Sequence, residues 1–503
     1  MFPLVRYYLL CLNRRETQDS KFRFNTKILW ICETATTAAW PAAMGLIDRQ
    51  GALSQGLAEI RTQFAVPTGF PADVLAEAEA AAATPVADRA DWTTRSFATL
   101  DPATSTDLDQ AFAIERSGAD VILFYAIADT AWFVRPEGAL DREAWTRGET
   151  LYLPDGKASL YPKVLSEGAA SLLPNVDRPA VVFTVRIDGE GKSTLDDAER
   201  GMIRSRAKLA YETVRPTDLP DGFEELSKRI AAAEDARGAA RVDAPEQEVV
   251  IGEDGSFTLA FRPQLQSEIQ NAAMSLAANL AVADTLLAHR TGLFRVMPEP
   301  DDRAIWRLRH SAKALGLDWP KHVPLKQFEQ RLSMTDPRHA AFRAAVRRAG
   351  PSASYALYQE GVTPWHSAMA ATYAHATAPL RRLADRYVIE ATLQIASGGS
   401  VAAEIEAAFQ KLPAVMAKAE AKAGQIDRAV VDLAEAVVLD GRVGSDFGAV
   451  VTDVDERGAR IQLGDPAVIA RVDGKGAVPG DTIKVRLTSV DVARRQVAFQ
   501  RVG

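Results

Sequence analysis

The sequence predicts an α+β protein: a mixed sheet with surrounding helices, followed by a small C-terminal β-barrel. Three observations predict it. Between 97 and 187, runs of β-formers are separated by turn residues. From 268 to 439, apolar residues recur at helical spacing. After 440 the chain returns to short strands with close turns.

Taken in order, residues 1–43 hold the two cysteines, Cys11 and Cys32, and keep no sustained period of 2 or 3.6. They read as an irregular extension, either disordered or upstream of a natural start at Met44. In 44–95, Leu53, Leu57, Ile60 and Phe64 fall at helical spacing, and Pro71 to Ala83 is rich in Ala and Glu. That region is expected to be short and helical, ending in a polar linker over 84–95. Gln110 to Ile114 and Val121 to Ile127 read as strands joined by the turn Ser117-Gly118-Ala119-Asp120. Val181 to Ile187 is a further strand, stopped by Asp188-Gly189. Ile269, Ala273, Leu276, Leu280 and Leu287 share one face of a helix over Glu268–His289. Helical texture continues through most of 300–350, again over Asp385–Ile395, and along Val401–Leu439 with a break at Pro413. These elements make a body over 96–437.

Residues 438–503 form the last unit. Its strands are Ala449–Val454, Ala459–Leu463, Val468–Val472, Thr482–Leu487 and Gln496–Phe499, with Pro479-Gly480-Asp481 among the turns. Five short strands suit an OB-type barrel, a common platform for single-stranded nucleic acid, with an SH3-like module as the alternative on pattern alone.

Composition bounds the function. Hydrophobic residues make up 47% and charged residues 25% of the 503, an ordinary globular balance. The net charge of −7 argues against a protein that coats nucleic acid non-specifically, but not against one with a local basic channel. Two cysteines exclude a disulfide framework over most of the chain and a cysteine-based zinc site in its body, which fits a reducing cytoplasm. No run of about 18 apolar residues marks a membrane span. The stretch Leu4 to Leu12 is short, is interrupted by Arg6, and lacks a small-residue cleavage site. No G-x-x-x-x-G-K-[ST] occurs, so ATP-driven function has no support.

The sharpest chemical signal is Asp101-Pro-Ala-Thr-Ser-Thr-Asp107-Leu-Asp109-Gln110. Asp107 and Asp109 point the same way if the segment is extended, and Asp101 comes within reach if the loop curls. Converging carboxylates repel unless a cation joins them. Hard oxygen donors suit Mg²⁺ or Mn²⁺, which assist in-line phosphodiester hydrolysis. A solvated, Asp-rich turn is the bland alternative.

These residues resemble the signature of the ribonuclease II (RNB) exoribonuclease family, and the resemblance runs on in order. Ile127-Ala-Asp129 is followed by Trp132-Phe133-Val134, then Leu140-Asp141-Arg-Glu143-Ala144 and Arg147-Gly148-Glu-Thr-Leu151-Tyr152-Leu153-Pro154-Asp155. Leu172-Leu-Pro174-Asn-Val-Asp177-Arg178 and Ile203-Arg204-Ser205-Arg206-Ala-Lys208-Leu-Ala-Tyr211 come next. Far downstream, Tyr373-Ala-His375-Ala-Thr377-Ala-Pro379-Leu-Arg381-Arg382-Leu-Ala-Asp385 resembles the second hallmark. The resemblance implies an RNB catalytic domain over 96–437 and an S1-type OB barrel over 438–503. It implies a hydrolytic 3′→5′ exoribonuclease that degrades single-stranded RNA with a free 3′ end to nucleoside 5′-monophosphates, as a monomer.

Residue by residue, the resemblance makes Asp101, Asp107 and Asp109 Mg²⁺-binding carboxylates, with Asp109 the most critical for chemistry. Gln110 is carried over as a neutral metal ligand. Tyr152 would pack on the 3′-terminal nucleotide, and Tyr211 would contact RNA nearby. Arg204, Arg206 and Lys208 are expected on a helix, as a basic face for the phosphate backbone. Arg381 would stabilise charge on the scissile phosphate. Arg382 is expected on the RNA backbone or in a structural contact, and His375 is expected to be structural. Asn271 stands where relatives carry an acid at the terminal ribose, and Asp427 where they carry a glutamate near the RNA sugar.

The chain departs from the family in two places. The fourth acid is Gln110, which gives up a full negative charge. Ahead of the catalytic region, helices are expected where relatives carry two cold-shock-type OB domains. Two other functions compete with the enzyme: an RNA-binding protein whose catalysis is reduced or lost through Gln110, and an exonuclease that also accepts single-stranded DNA.

Overall fold

The computed structural model describes residues 46–47 and 51–502, apart from 88, 240–245, 252–255, 263, 330, 333–336, 351 and 456. The expectations for 1–43 lie outside the described residues. Helices α1 (Ala52–Gln63) and α2 (Ala72–Ala82) form where the periodicity places them, with Leu53, Leu57 and Ile60 buried on one side of α1.

The central sheet uses β1 (Ala90–Asp91), β2 (Phe97–Asp101), β3 (Gln110–Ser117) and β4 (Asp120–Ala128). Helix α3 (Ala139–Arg147) and a hairpin of β5 (Leu151–Leu153) and β6 (Gly156–Ala158) follow. The sheet resumes with β7 (Asp177–Ile187) and the long β8 (Ser193–Ala210). Its order is β1-β8-β2-β3-β4-β7. Strand β8 runs parallel to β1 and β2, and the other pairings are antiparallel. Because β8 also pairs with β7, one strand joins both sides and the sheet curls onto itself. Turn residues set the β3–β4 register: Ser117 pairs with Asp120, and Gly118 takes the left-handed backbone (φ 62°) that the two-residue turn requires.

The helix expected through Arg204, Arg206 and Lys208 is a strand, the C-terminal half of β8. Ile203 and Ser205 alternate inward while the three cations share the other face, and Ser205 to Ala210 pair with β2. That pairing outweighs the local helix preference of Ala207-Lys208-Leu209-Ala210.

Helix α4 (Phe223–Arg237) leads to a hairpin not expected from the sequence, β9 (Glu246–Ile251) with β10 (Ser256–Arg262). Strand β10 alternates buried and half-buried residues, the period-2 signal of a one-sided strand. Helix α5 (Gln266–Ala288) is long and apolar enough to cross a membrane by composition. Here it is a core helix, with Met274, Ala277, Ala281 and Leu286 packed on the sheet. Strand β11 (Leu293–Val296), helices α6 (Asp302–Ala314), α7 (Leu325–Glu329) and α8 (Pro337–Ala349), and strand β12 (Ser354–Leu357) make a lobe. Its helices pack around Trp319, Phe328 and Phe342. Helix α9 (Leu383–Ala396) follows. Helix α10 (Ala403–Leu439) runs 37 residues without the break expected at Pro413. The proline forfeits one backbone hydrogen bond, and buried Phe409, Leu412 and Met416 on either side hold the two halves in line.

The last unit has β13 (Asp446–Asp455), β14 (Gly458–Leu463), β15 (Ile469–Val472), β16 (Thr482–Asp491) and β17 (Gln496–Arg501). The order β15-β14-β13-β16-β17, with β15 against β17, nearly closes a five-stranded barrel. All five expected strands are present. One apolar cluster joins α1, the β5–β6 hairpin, β10, the end of α10 and the barrel. The barrel is therefore packed against the body rather than tethered to it. Buried Glu435 on α10 adds a polar pin, accepting from the backbone N–H of Ile469 at 2.8 Å and from Gln247 at 2.5 Å.

Candidate active site

Asp101 ends β2 and Asp109 immediately precedes β3. The intervening loop is pinned throughout. Lys208 donates to the carbonyl of Ala103 (2.7 Å), and the hydroxyl of Ser171 donates to the carbonyl of Thr106 (2.8 Å) while accepting from the N–H of Leu108 (2.9 Å). The backbone of Tyr211 donates to the carbonyl of Asp101 (3.1 Å), and that of Ala128 to the carbonyl of Asp109 (2.9 Å). The curl that lets three acids converge is thus imposed by surrounding strands, not by the loop alone.

The second hallmark arrives from the opposite side. Asn279 on α5 accepts from the N–H of Ala376 (2.9 Å), and buried Asp385 on α9 accepts from those of Thr377 (3.0 Å) and Ala378 (2.8 Å). So held, the turn presents the N–H of Leu380 to Asp109 Oδ1 at 2.7 Å and the Nε of Arg381 to Asp109 Oδ2 at 3.4 Å.

The electrostatics follow from burial. Asp101 and Asp109 are each pushed up to about 7, first by loss of water and then by neighbouring Asp107. Arg381 opposes this at both, helped by Lys208 at Asp101 and by the Leu380 N–H at Asp109. The site is short of positive charge.

The aromatic residues sit at its edge. Tyr152 alternates outward on β5 between buried Leu151 and Leu153, and is half exposed. Burial of its hydroxyl, with Asp107 and Asp109 close by, raises that group's pKa against the pull of Arg381. Tyr211 follows β8. Its hydroxyl accepts from the amide of Asn271 at 2.7 Å, and Asp101, after burial, is the main influence discouraging its ionisation.

The other expected residues divide. Gln110 lies between Asp109 and the core with both ends engaged: its amide donates to the carbonyl of Thr377, and its oxygen accepts from Tyr125 (2.7 Å) and Ser275 (3.4 Å). That oxygen is turned into the core, so the geometry corrects the expectation that Gln110 serves as a ligand. Arg382 is taken up by Asp385 in a two-pronged pair at 2.9 and 2.8 Å, a structural brace rather than a backbone-reading cation. Arg204 forks onto Asp177, and Arg206 donates to the carbonyl of Thr93, so only Lys208 of the three cations reaches the carboxylate loop. His375 is buried against the hydroxyl of Tyr355 (2.7 Å). Burial, with Arg382 and Arg295 nearby, keeps it neutral. Asp427 is exposed on α10, one residue past Ile426, which packs in the cluster containing Leu151 and Leu153.

Sequence reasoning missed Lys157 and Glu167. Lys157 pairs with Tyr152 across the β5–β6 hairpin, and its ammonium lies 2.8 Å from Asp107 Oδ1 and 3.2 Å from Glu167 Oε1. Burial alone would raise the Glu167 carboxyl, but Lys157 and the Thr106 hydroxyl outweigh it and hold the group below the usual range. The turn Pro154-Asp155-Gly156 was the available signal, since a tight hairpin there sets Lys157 beside Tyr152.

Buried Asp109 and half-buried Asp101 and Asp107 opposite an arginine, with half-open tyrosines alongside, are the equipment of a cation-assisted phosphodiesterase acting on a flexible strand. The chain belongs to the ribonuclease II (RNB) family: the RNB domain matches residues 89–396, and the RNase II-type exonuclease C-terminal S1 domain matches 445–502. It is 26% identical over 495 residues to Ribonuclease R of Aquifex aeolicus, covering 88% of this chain and 69% of that protein. The corresponding figures for Ribonuclease R of Thermotoga maritima are 25% over 502 residues, 86% and 68%. In fold it is similar to Mycoplasma genitalium RNase R in complex with ribose methylated single-stranded RNA (TM-score 0.78, 18% identity, 90% of this chain and 78% of that one).

Among the described residues, no three acidic, histidine or cysteine side chains stand close enough to ligate one ion. The donor chemistry nonetheless fits a divalent cation. Asp101, Asp107 and Asp109 offer hard oxygens, and burial, with Asp107 adding to it, pushes the Asp101 and Asp109 carboxyls up to about 7 despite Arg381.

Proposed function

We propose that the chain is a hydrolytic 3′→5′ exoribonuclease that removes nucleoside 5′-monophosphates from single-stranded RNA with Mg²⁺ or Mn²⁺. The observation that carries this is the meeting of Asp101, Asp107 and Asp109 with Arg381 beside Tyr152 and the Tyr211–Asn271 pair. In this reading the half-exposed ring of Tyr152 takes the last base and fixes the strand end, making the attack effectively intramolecular. Tyr211 and Asn271 offer hydroxyl and amide groups to the terminal sugar, where a 2′-hydroxyl separates RNA from DNA. The guanidinium of Arg381, already aimed at Asp109, faces the phosphate oxygens as charge develops. Asp109, fixed by the Leu380 N–H, orients the water that attacks phosphorus. A bound divalent cation would lower the pKa of that water and offset charge on the leaving oxygen. The same reading makes the enzyme a monomer that needs no ATP and works in a reducing cytoplasm.

The test uses 5′-labelled oligo(A) RNA, its DNA counterpart, and an RNA with a blocked 3′ end, each with Mg²⁺, Mn²⁺ or chelator. Stepwise shortening of the free-ended RNA alone, with mononucleotide products and a need for cation, is the expected result. Binding without shortening in either metal would leave an RNA-binding relative. Equal attack on DNA would overturn the ribose contact assigned to Tyr211 and Asn271.

A further inference from the structure

The β5–β6 hairpin faces the carboxylates with two side chains that are cross-strand neighbours, Tyr152 and Lys157. A lysine within contact distance of a metal-site carboxylate needs a reason, because a positive charge there opposes any incoming cation. The charge pattern supplies one. The acid expected after Asp109 is Gln110, and its oxygen is committed to Tyr125. A different acid, Glu167, stands on the far side of Lys157, so the ammonium bridges Asp107 and Glu167 at 2.8 and 3.2 Å. Glu167 lies in a π-helical turn, Leu165–Ala169, whose Gly168 departs from helical angles (φ −128°, ψ −105°). The turn brings Glu167 to the hydroxyl of Thr106, next to Asp107 in the loop. Ser171, just beyond it, holds the same loop at Thr106 and Leu108.

We infer that Lys157 is a positioning residue of the catalytic centre: a built-in counter-ion, shared between Asp107 and Glu167, that competes with the divalent cation for Asp107 and thereby sets how tightly the site holds metal. Glu167 is the second half of the device. By drawing the ammonium toward itself it frees Asp107 when metal arrives. With no cation bound, Lys157 keeps Asp107 from repelling Asp101 and Asp109 and so preserves the curl of the loop. This inference rests on the metal-dependent reading above and deepens it.

The experiment measures Mn²⁺ binding directly, by electron paramagnetic resonance and calorimetry, on the metal-free full chain without RNA. Wild type is compared with Lys157→Met and Glu167→Gln. Lys157→Met is expected to bind Mn²⁺ tighter by about tenfold or more, since two cations at contact distance repel even under water-like screening. Glu167→Gln leaves the ammonium wholly on Asp107 and is expected to bind Mn²⁺ at least about threefold more weakly, for the same electrostatic reason. Opposite shifts are what a merely structural salt bridge would not give, since damage to the loop weakens binding in both. Lys157→Met binding no tighter than wild type overturns the inference while leaving the metal-dependent reading intact. Should Lys157→Met fail to fold, unchanged Mn²⁺ binding in Glu167→Gln overturns it equally. Wild type that binds no Mn²⁺ overturns the metal reading and this inference with it.

Discussion

Restoring the missing acid at 110 should harm this protein rather than improve it. In Gln110→Glu the new side chain has the length of the old one, so its first oxygen still accepts from Tyr125. Its second oxygen takes the place of the amide that donates to the carbonyl of Thr377. Two outcomes bound the cost. If the carboxylate ionises, the carbonyl of Thr377 loses its donor and faces negative charge, a loss of about 1–3 kcal/mol for the unsatisfied group alone. If the carboxyl keeps its proton to preserve the bond, holding it at pH 7 against an unfolded-state pKa of about 4.3 costs about 4 kcal/mol. The deficit near neutrality is therefore about 1–4 kcal/mol. The sign with pH follows: burial beside Asp109 raises the folded-state pKa of the new glutamate, so the folded state binds an extra proton. The deficit is small below about pH 4 and opens as pH rises toward the folded-state value. Urea unfolding of both metal-free proteins at pH 4.5 and 7.5 measures it. Equal stability at pH 7.5, or the same gap at both pH values, would refute the reasoning. So would a large gain in the variant's stability on adding Mg²⁺, because it would mean that the side chain at 110 faces the metal rather than the core.

Three other outcomes follow from the geometry. Arg61 on α1 grips the tip of the Tyr152 hairpin, with Nε and Nη2 at 2.9 and 2.7 Å from Asp155 and a third bond to the Gly156 carbonyl at 3.0 Å. Arg61→Ala should lower kcat/KM on a short oligonucleotide about fivefold, the equivalent of ~1 kcal/mol, and Arg61→Lys, which lacks the fork, should recover less than half of it. Arg381→Ala should lower kcat by about 10²–10³ while RNA affinity in a filter-binding assay changes far less. Because Asp101 and Asp109 hold protons up to about 7, apparent cation affinity should climb steeply between about pH 6 and 8 as protons leave, and calorimetry in buffers of different ionisation enthalpy should detect their release.

Much of the site was legible because it is short-range or carried by motif. The acids within nine positions, the Arg381 segment and Tyr152 stand near one another in the structure, and the five barrel strands were plain from alternation and turns. The failures share a physical cause, tertiary context overriding local preference. Ala207-Lys208-Leu209-Ala210 looks helical, yet pairing with β2 makes it strand. The spacing of Arg204, Arg206 and Lys208 at every second residue already suited a strand face. Pro413 reads as a break, but burial on both sides carries the helix through it. Gln110 reads as a weakened ligand until Tyr125, Ser275 and Thr377 arrive from other elements. Lys157 and Glu167 are ten positions apart, and nothing local indicates that the Lys157 ammonium comes between Glu167 and Asp107.

In the proposed mechanism Asp109, held by the Leu380 N–H and Arg381, does the chemistry on an RNA strand whose end is fixed at Tyr152. A single-turnover assay on 5′-labelled oligo(A), comparing wild type with Asp109→Asn in Mg²⁺ and in Mn²⁺, tests it most directly. Wild type is expected to shorten the RNA in one-nucleotide steps from its 3′ end, and the variant to cleave more slowly by about three orders of magnitude or more with RNA binding retained. Cleavage by Asp109→Asn at a rate close to wild type would contradict it.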